Sequence, residues 1–146
     1  MKRGDFSLIH SLRVRWAEVD RQDVVFNGNY FLYFDIAVTE YWRAIGLDYP
    51  AGYIERNGAD LYAVKAAADF HESARYDDIL DIACRVGRIG RSSVTFFLGI
   101  WRGDVHLTSG ELVYVNTDVT TRSSKPWSDP FRAAVLGFER VPPAGA

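Results

Sequence analysis

The sequence predicts an α+β domain in which one long helix packs against a five-stranded antiparallel sheet. Three observations carry this prediction: a strand-like run near the N-terminus, one long apolar run with helical spacing, and four strand-like runs after it. The chain has 146 residues, of which 48% are hydrophobic, and this suits a single compact domain spanning residues 1–146.

The first strand and the long helix are predicted from two different periods. Apolar and polar residues nearly alternate over residues 6–19, as in a half-buried strand. Residues 20–28 then form a loop with turn and capping residues. Apolar residues next recur at spacings of three and four over residues 29–45, and Gly46 ends this predicted helix. Because the helix is apolar on nearly every side, we expect the sheet to wrap around it.

The rest of the chain returns to the strand period after a short helix predicted over residues 51–56. Four further strands are predicted over residues 61–71, 79–88, 92–101 and 105–116. A last helix is predicted over residues 131–138, and the final residues after Pro142 and Pro143 are expected to be frayed.

Charge and cysteine content exclude several classes of protein. The net charge of −2 and a sequence pI of about 5.9 provide no basic field for nucleic acid or for an anionic membrane. The single cysteine, Cys84, cannot form an intrachain disulfide, and no Cys/His spacing resembles a metal site. The N-terminus has basic residues without a following apolar segment, and no apolar run is long enough for a bilayer. We therefore expect a cytoplasmic protein without a metal.

An acid near a predicted helix start is the strongest chemical feature. Asp20 follows the first strand, and Asn27 opens the long helix seven positions later. A helix N-terminus presents unpaired backbone N–H groups and a partial positive charge, which can polarise a carbonyl oxygen. A carboxylate beside it can act on the carbonyl carbon or on a water. The arrangement predicts acyl transfer or hydrolysis, unless Asp20 only caps a turn.

The same stretch resembles a known enzyme family. The pattern consists of Asp20, Val24-Val25-Phe26-Asn27-Gly28-Asn29-Tyr30 and Tyr33, followed in order by Glu55-Arg56, Tyr76-Asp77-Asp78-Ile79-Leu80 and Arg91-Ser92. It resembles the hotdog-fold acyl-CoA thioesterases, in particular the group that includes 4-hydroxybenzoyl-CoA thioesterase and the YbgC-like enzymes. The resemblance implies a hotdog fold and hydrolysis of an acyl-CoA thioester.

The resemblance also implies roles for the loop residues. Asp20 matches the acid that attacks the thioester or activates a water as general base, and both routes remain open. Backbone N–H groups near Asn27, Gly28 and Asn29 would hold the carbonyl oxygen, with Asn29 also in contact with the substrate. The Asn27 side chain is expected to cap the helix. Phe26 would line the acyl pocket.

Two further groups of residues are implied to contact the substrate. Asp35 corresponds to an aspartate near the ring of an aromatic acyl group, and we expect it to be a buried carboxylate that needs a polar partner. The alternative is that Asp35 faces solvent, or that it binds a neighbouring Arg or Tyr through a hydrogen bond or ion pair. Arg88, Arg91 and Ser92 resemble the region that binds the phosphates of coenzyme A. The alternative for these three is a charged strand edge.

Other candidate catalytic residues are less favoured. Glu40 could supply a second acid, but a surface pair with Arg43 is the preferred interpretation. His71 and Glu72 are expected near the site without a catalytic role, and Cys84 is expected to fill the core.

The implied enzyme needs no cofactor, since coenzyme A enters as part of the substrate. Its partners are the acyl-CoA substrate and further copies of itself. We expect a homodimer, and a homotetramer as the larger assembly. An aromatic acyl group is preferred because of Asp35, with a short or medium aliphatic chain as the alternative. A non-catalytic acyl-CoA-binding protein of the same fold is a second alternative, and a dehydratase is disfavoured because the His-bearing loop of that branch is absent.

Overall fold

The computed structural model describes residues 1–146 and contains one five-stranded antiparallel sheet and three helices. The strands are β1 (Leu8–Arg13), β2 (Ala59–Phe70), β3 (Ile79–Ile89), β4 (Ser93–Arg102) and β5 (Val105–Asp118). The helices are α1 (Gly28–Ala44), α2 (Ala51–Asn57) and α3 (Asp129–Phe138). The strand order is β1-β3-β4-β5-β2, so β1 and β2 form the two edges. This architecture confirms the predicted fold class. No helix in the chain is long and apolar enough to cross a membrane.

Helix α1 packs one face against the sheet. Its buried side chains recur at helical spacing and are Tyr30, Tyr33, Phe34, Ala37, Val38, Tyr41 and Trp42. The helix approaches β5 closely at Gly110, where an added Cβ would lie 2.4 Å from Cζ of Phe34. Phe31 and Leu32, 36% and 45% exposed, lie outside this face. The sheet therefore covers one face of the helix, as expected, and leaves the face that carries Phe31 and Leu32 exposed within the chain.

Strand β1 is shorter than predicted. It ends at Arg13 rather than at residue 19, and Trp16–Glu18 forms a 3-10 turn. The ladder stops because Arg13 pairs with Ile79, the first residue of β3, which leaves the following residues without a partner strand. The alternation of apolar and polar residues over 14–19 thus has no strand ladder to support it. The 3-10 turn places Glu18 and Asp20 beside the start of α1.

The C-terminal segment is attached to the sheet and not frayed as expected. The backbone N–H of Ala144 donates to Gly87 O, and that of Ile89 donates to Ala144 O, both at 2.9 Å. These bonds use the part of β3 beyond Cys84, where the pairing with β1 has ended. Glu139 fixes the same segment, since its buried carboxylate accepts from Tyr41 Oη at 2.7 Å and from the Val86 N–H at 2.9 Å.

Candidate active site

The loop between β1 and α1 folds back on itself and positions Asp20. Val19 and Val25 form an antiparallel bridge, and the Asp20 N–H donates to Val24 O at 2.8 Å. Asp20 Oδ1 accepts the Gln22 N–H at 2.8 Å, so the predicted turn-capping role is present. Oδ2 has no hydrogen-bond partner within the chain, and the side chain is half-buried. Asp20 therefore caps the turn with one oxygen and keeps the other available.

The start of α1 leaves backbone donors unused. The N–H groups of Asn29 and Tyr30 donate to Phe26 O and Asn27 O, whereas those of Asn27 and Gly28 have no acceptor within the chain. Asn27 occupies the N-cap position with helical backbone angles and makes no side-chain cap. The expected cap by its side chain is wrong, because that bond requires an extended N-cap backbone. The first turn thus offers two free N–H groups and the positive end of the helix dipole.

Asp20 and Asn27 border one cavity of about 160 Å³. Its other walls are Gln22, Val24, Val25, Tyr30, Phe70, Glu72 and Ser73. The structure thus brings the predicted acid and the predicted helix start together. Phe70, Glu72 and Ser73 come from the end of β2 and the turn after it. Glu72 lies at the site as expected, whereas nothing in the local sequence beyond the strand pattern indicates Phe70 and Ser73.

Phe26 and Gly28 pack against each other beside this cavity. A Cβ added at Gly28 would lie 2.9 Å from Cε2 of Phe26, so the ring occupies the space that a side chain would need. Phe26 is 53% exposed, which leaves it accessible to an acyl group. Asn29 is less available, since its Nδ2 donates to Glu18 O at 2.9 Å.

Tyr30 and Phe70 form an aromatic wall of the cavity. Their ring centroids are 5.0 Å apart with an edge-on geometry. Tyr30 Oη accepts the Ala74 N–H at 3.0 Å, and burial raises the pKa of the phenol. The hydroxyl consequently stays protonated at neutral pH and retains a proton to donate.

Asp35 lies at a second cavity, and the expectation that it is buried is wrong. Its side chain is exposed because Asp35 falls outside the buried stripe of α1. It borders a cavity of about 300 Å³ together with Val38, Thr39, Trp42, Tyr49, Leu61, Ala63 and Tyr114. Burial, with a smaller contribution from the Asp35 charge, raises the pKa of Tyr114 to about 12. A solvated carboxylate thus faces a mainly apolar and aromatic wall.

Arg88, Arg91 and Ser92 lie at the opposite end of the sheet from Asp20 within one chain. The Asp20 loop pairs with Arg75, just before β3, whereas Arg91 and Ser92 follow its last residue. β3 has 11 residues, so about 3.3 Å per residue separates its ends by roughly 33 Å. The guanidinium groups of Arg88 and Arg91 are exposed and form no ion pair within the chain.

The remaining candidates have other contacts. Glu40 Oε1 accepts from Arg43 at 2.8 Å, as the surface-pair interpretation predicts. His71 Nε2 lies 2.9 Å from Ser109 Oγ, whereas Glu72 borders the Asp20 cavity. Cys84 is fully buried, which confirms its core position, and burial raises the pKa of its thiol. The chain has no group of three or more His, Cys, Asp or Glu side chains placed to hold a metal ion.

Comparisons with known proteins identify the family of the chain. The sequence model of the thioesterase superfamily matches residues 22–109, more than half of the chain. A relative from Aquifex aeolicus (strain VF5), provisionally named an esterase, is 27% identical over 97 residues, covering 66% of this chain and 74% of the relative.

Two solved structures show the same fold at low sequence identity. A 1,4-dihydroxy-2-naphthoyl-CoA thioesterase from Synechocystis has a TM-score of 0.78 at 18% identity and covers 87% of this chain and 93% of its own. A gentisyl-coenzyme A thioesterase has a TM-score of 0.76 at 18% identity and covers 88% of this chain and 99% of its own. With the family match over more than half its length, the chain belongs to the thioesterase superfamily and has the hotdog fold.

Proposed function

We propose that this thioesterase hydrolyses an acyl-CoA to the free acid and CoA, and that the acyl group is aromatic and hydroxybenzoyl-like. The observation that carries the proposal is the single cavity bordered by Asp20 and by the N-cap of α1. Hydrolysis adds one water across the C–S bond: the oxygen goes to the acyl carbon and a proton goes to the sulfur of CoA.

The free groups at the cavity supply the two functions that this reaction needs. The unused N–H groups of Asn27 and Gly28 donate hydrogen bonds to the thioester oxygen and stabilise the negative charge that develops on it. Asp20 Oδ2 either attacks the acyl carbon or takes a proton from the attacking water. In both routes the carboxylate needs a position within about 3 Å of its target, which the closed turn around Asp20 helps to fix.

The exposed edge of the sheet supports a homodimer. β2 is a 12-residue edge strand whose outer side has no partner within the chain. It carries exposed apolar side chains at Tyr62, Val64 and Phe70. A long apolar edge of this kind favours pairing with another strand, and antiparallel pairing of β2 with its copy satisfies both chains equally.

Antiparallel pairing also explains the separation of the predicted binding residues. The Asp35 cavity includes Leu61 near the start of β2, whereas the Asp20 cavity includes Phe70 at its end. The Arg91-Ser92 turn is level with Leu61, because Ser92 O accepts the N–H of Asn116, which is the register partner of Leu61. In such a dimer the start of one β2 lies beside the end of the other. Each substrate would then contact Asp20 of one subunit and Asp35 and the arginines of its partner.

The proposed acyl group follows from the walls of the Asp35 cavity. Trp42, Tyr49 and Tyr114 provide flat apolar surface for a ring, and the Asp35 carboxylate can accept a hydrogen bond from a ring hydroxyl. Arg88 and Arg91, which have no carboxylate partner in the chain, are free to bind the CoA phosphates. The two similar structures act, by their names, on hydroxylated aromatic acyl groups, which favours the same class here.

The experiment is a comparison of 4-hydroxybenzoyl-CoA, benzoyl-CoA and hexanoyl-CoA, with release of free CoA thiol as the readout. We expect the highest kcat/KM for 4-hydroxybenzoyl-CoA. A preference for hexanoyl-CoA would contradict the proposal of an aromatic acyl group, although the proposal of acyl-CoA hydrolysis would still stand. No release from any of the three would contradict the proposed function.

A further inference from the structure

Glu18 is a buried carboxylate two positions before Asp20 that connects the loop to α1. It is only 6% exposed, although it lies in a turn at the surface end of the sheet. Its backbone carbonyl binds Phe26 and Asn29 at the start of α1. Its side chain binds Tyr33, which lies further along the same helix. The thioesterase chemistry above uses neither.

The backbone carbonyl of Glu18 holds the start of the helix from two sides. It accepts the Phe26 N–H at 3.0 Å and the Asn29 Nδ2 at 2.9 Å. These two residues flank Asn27 and Gly28, whose N–H groups remain free. A shift of Glu18 would therefore move the two free donors relative to Asp20.

The side chain of Glu18 fixes that carbonyl in place. Oε1 accepts the Tyr33 hydroxyl at 2.9 Å and the Arg15 N–H at 2.8 Å, and Oε2 accepts from the Arg15 guanidinium at 2.7 and 2.9 Å. Tyr33 is fully buried in the face of α1 that packs against the sheet. Burial raises the pKa of Glu18, but these bonds from Arg15 and Tyr33, with the Arg15 charge, outweigh burial and lower it. The carboxylate is thus ionised and fully bonded at neutral pH.

We propose that Glu18 is a positioning residue that sets the placement of Asp20 relative to the N–H groups of Asn27 and Gly28. Its carboxylate binds the Tyr33 hydroxyl in α1, and its backbone carbonyl binds Asn29 about one turn earlier, at the start of the helix. The inference rests on the proposed function, since it assigns Glu18 to the catalytic geometry of that site. A misplacement of about 1 Å at a reacting group can cost about a hundredfold in rate.

The chain contains a matched control for this role. Glu139 is also a buried carboxylate that accepts a hydrogen bond from a tyrosine of α1, Tyr41 at 2.7 Å, but it holds the C-terminal segment far from Asp20. Glu139→Gln therefore tests the loss of a buried carboxylate–tyrosine bond in the same helix. Glu18 also borders a cavity of about 220 Å³, so water can reach the site of a shortened side chain.

The experiment measures kcat, KM and melting temperature for Glu18→Ala, Glu18→Gln, Tyr33→Phe and Glu139→Gln. We expect kcat to fall about tenfold to a hundredfold in Glu18→Ala, with KM changed by less than about twofold. Glu18→Gln retains an acceptor for Tyr33 and should recover part of that loss. Tyr33→Phe should also lower kcat, whereas Glu139→Gln should lower the melting temperature and leave kcat within about twofold.

Wild-type kcat in folded Glu18→Ala would overturn the proposal, as would an equal fall of kcat in Glu139→Gln. If Glu18→Ala does not fold, Tyr33→Phe replaces it as the test, because it removes a single hydroxyl from a residue that keeps its packing. Wild-type kcat in Tyr33→Phe would then overturn the proposal. Failure of the proposed function is a different result: Asp20→Asn would then retain wild-type activity, whatever the Glu18 variants do.

Discussion

Asp20 and Asn27 border the same cavity although they are seven positions apart in the chain. The bridge between Val19 and Val25 closes the loop between them. Asp20 retains a free carboxylate oxygen, and the N–H groups of Asn27 and Gly28 lack acceptors. The acid and the N-cap of α1 thus meet at one pocket, at the positive end of a helix whose first N–H groups are free.

Asp35→Ala should remove the preference for a hydroxylated ring. Hydrogen bonds to charged groups contribute about 1.5–3 kcal/mol, so the ratio of kcat/KM for 4-hydroxybenzoyl-CoA over benzoyl-CoA should fall about tenfold to a hundredfold. Glu40→Ala is the control, since Glu40 lies on the same helix and pairs with Arg43. An unchanged ratio in Asp35→Ala would exclude a role of this carboxylate in recognising the ring hydroxyl of the acyl group.

Gly28→Ala should lower activity by displacing Phe26. The added Cβ would lie 2.9 Å from the ring, which is tighter than a real contact allows, so the half-exposed ring must move. We expect kcat/KM to fall about fivefold to tenfold while the melting temperature changes little. Gly137→Ala is the control, because a Cβ there meets no atom within 4 Å. Full activity in Gly28→Ala would show that the Phe26 position does not matter.

Val64→Glu should dissociate the proposed dimer. Val64 is 62% exposed on the edge strand β2, and the substitution would place like charges near each other across the pairing of two copies. Analytical ultracentrifugation should give a monomer mass, and the rate should fall at least about tenfold because each site needs both subunits. Val119→Glu, an exposed valine beyond β5, should leave mass and rate unchanged. A dimeric Val64→Glu with full activity would contradict the β2 interface.

His106 should make the wild type lose stability on acidification. Burial, with the charge of His71, lowers the pKa of His106 in the folded state despite the opposing effect of a hydrogen bond to the Thr108 backbone. The unfolded state then binds more protons below about pH 6.5, so stability falls as pH drops through that region. Chemical denaturation at pH 7.5 and pH 5 should show a smaller loss in His106→Gln than in the wild type. Equal losses in the two proteins would contradict this assignment.

Local features of the site were predictable from the sequence because neighbours in the chain create them. The helix of α1 follows from the spacing of its buried residues, and Gly46 ends it with φ of +70°. Asp20 and Asn27 meet through a loop of the same stretch, so their proximity needs no long-range information. The predicted β1 is too long because the start of β3 at Ile79, rather than the alternation within β1, sets where the ladder of β1 ends.

Features that depend on sheet order were not predictable. Phe70 and Ser73 reach the Asp20 cavity only because β2 runs antiparallel to β5 at the sheet edge. The exposure of Asp35 depends on which face of α1 contacts the sheet. Because apolar residues flank Asp35 on both sides in the sequence, the pattern does not indicate which face this is. The distance of Arg91 from Asp20 likewise follows from the length of β3.

The most direct test of a catalytic role for Asp20 is hydrolysis of 4-hydroxybenzoyl-CoA by Asp20→Asn, with Asp23→Asn as the matched control. Asparagine at position 20 can still accept the Gln22 N–H, so the turn is retained while the carboxylate is lost. Asp23 lies in the same loop, is exposed and does not border the cavity. We expect kcat to fall about a thousandfold or more in Asp20→Asn and to stay unchanged in Asp23→Asn. Wild-type kcat in a folded Asp20→Asn would contradict a catalytic role for Asp20.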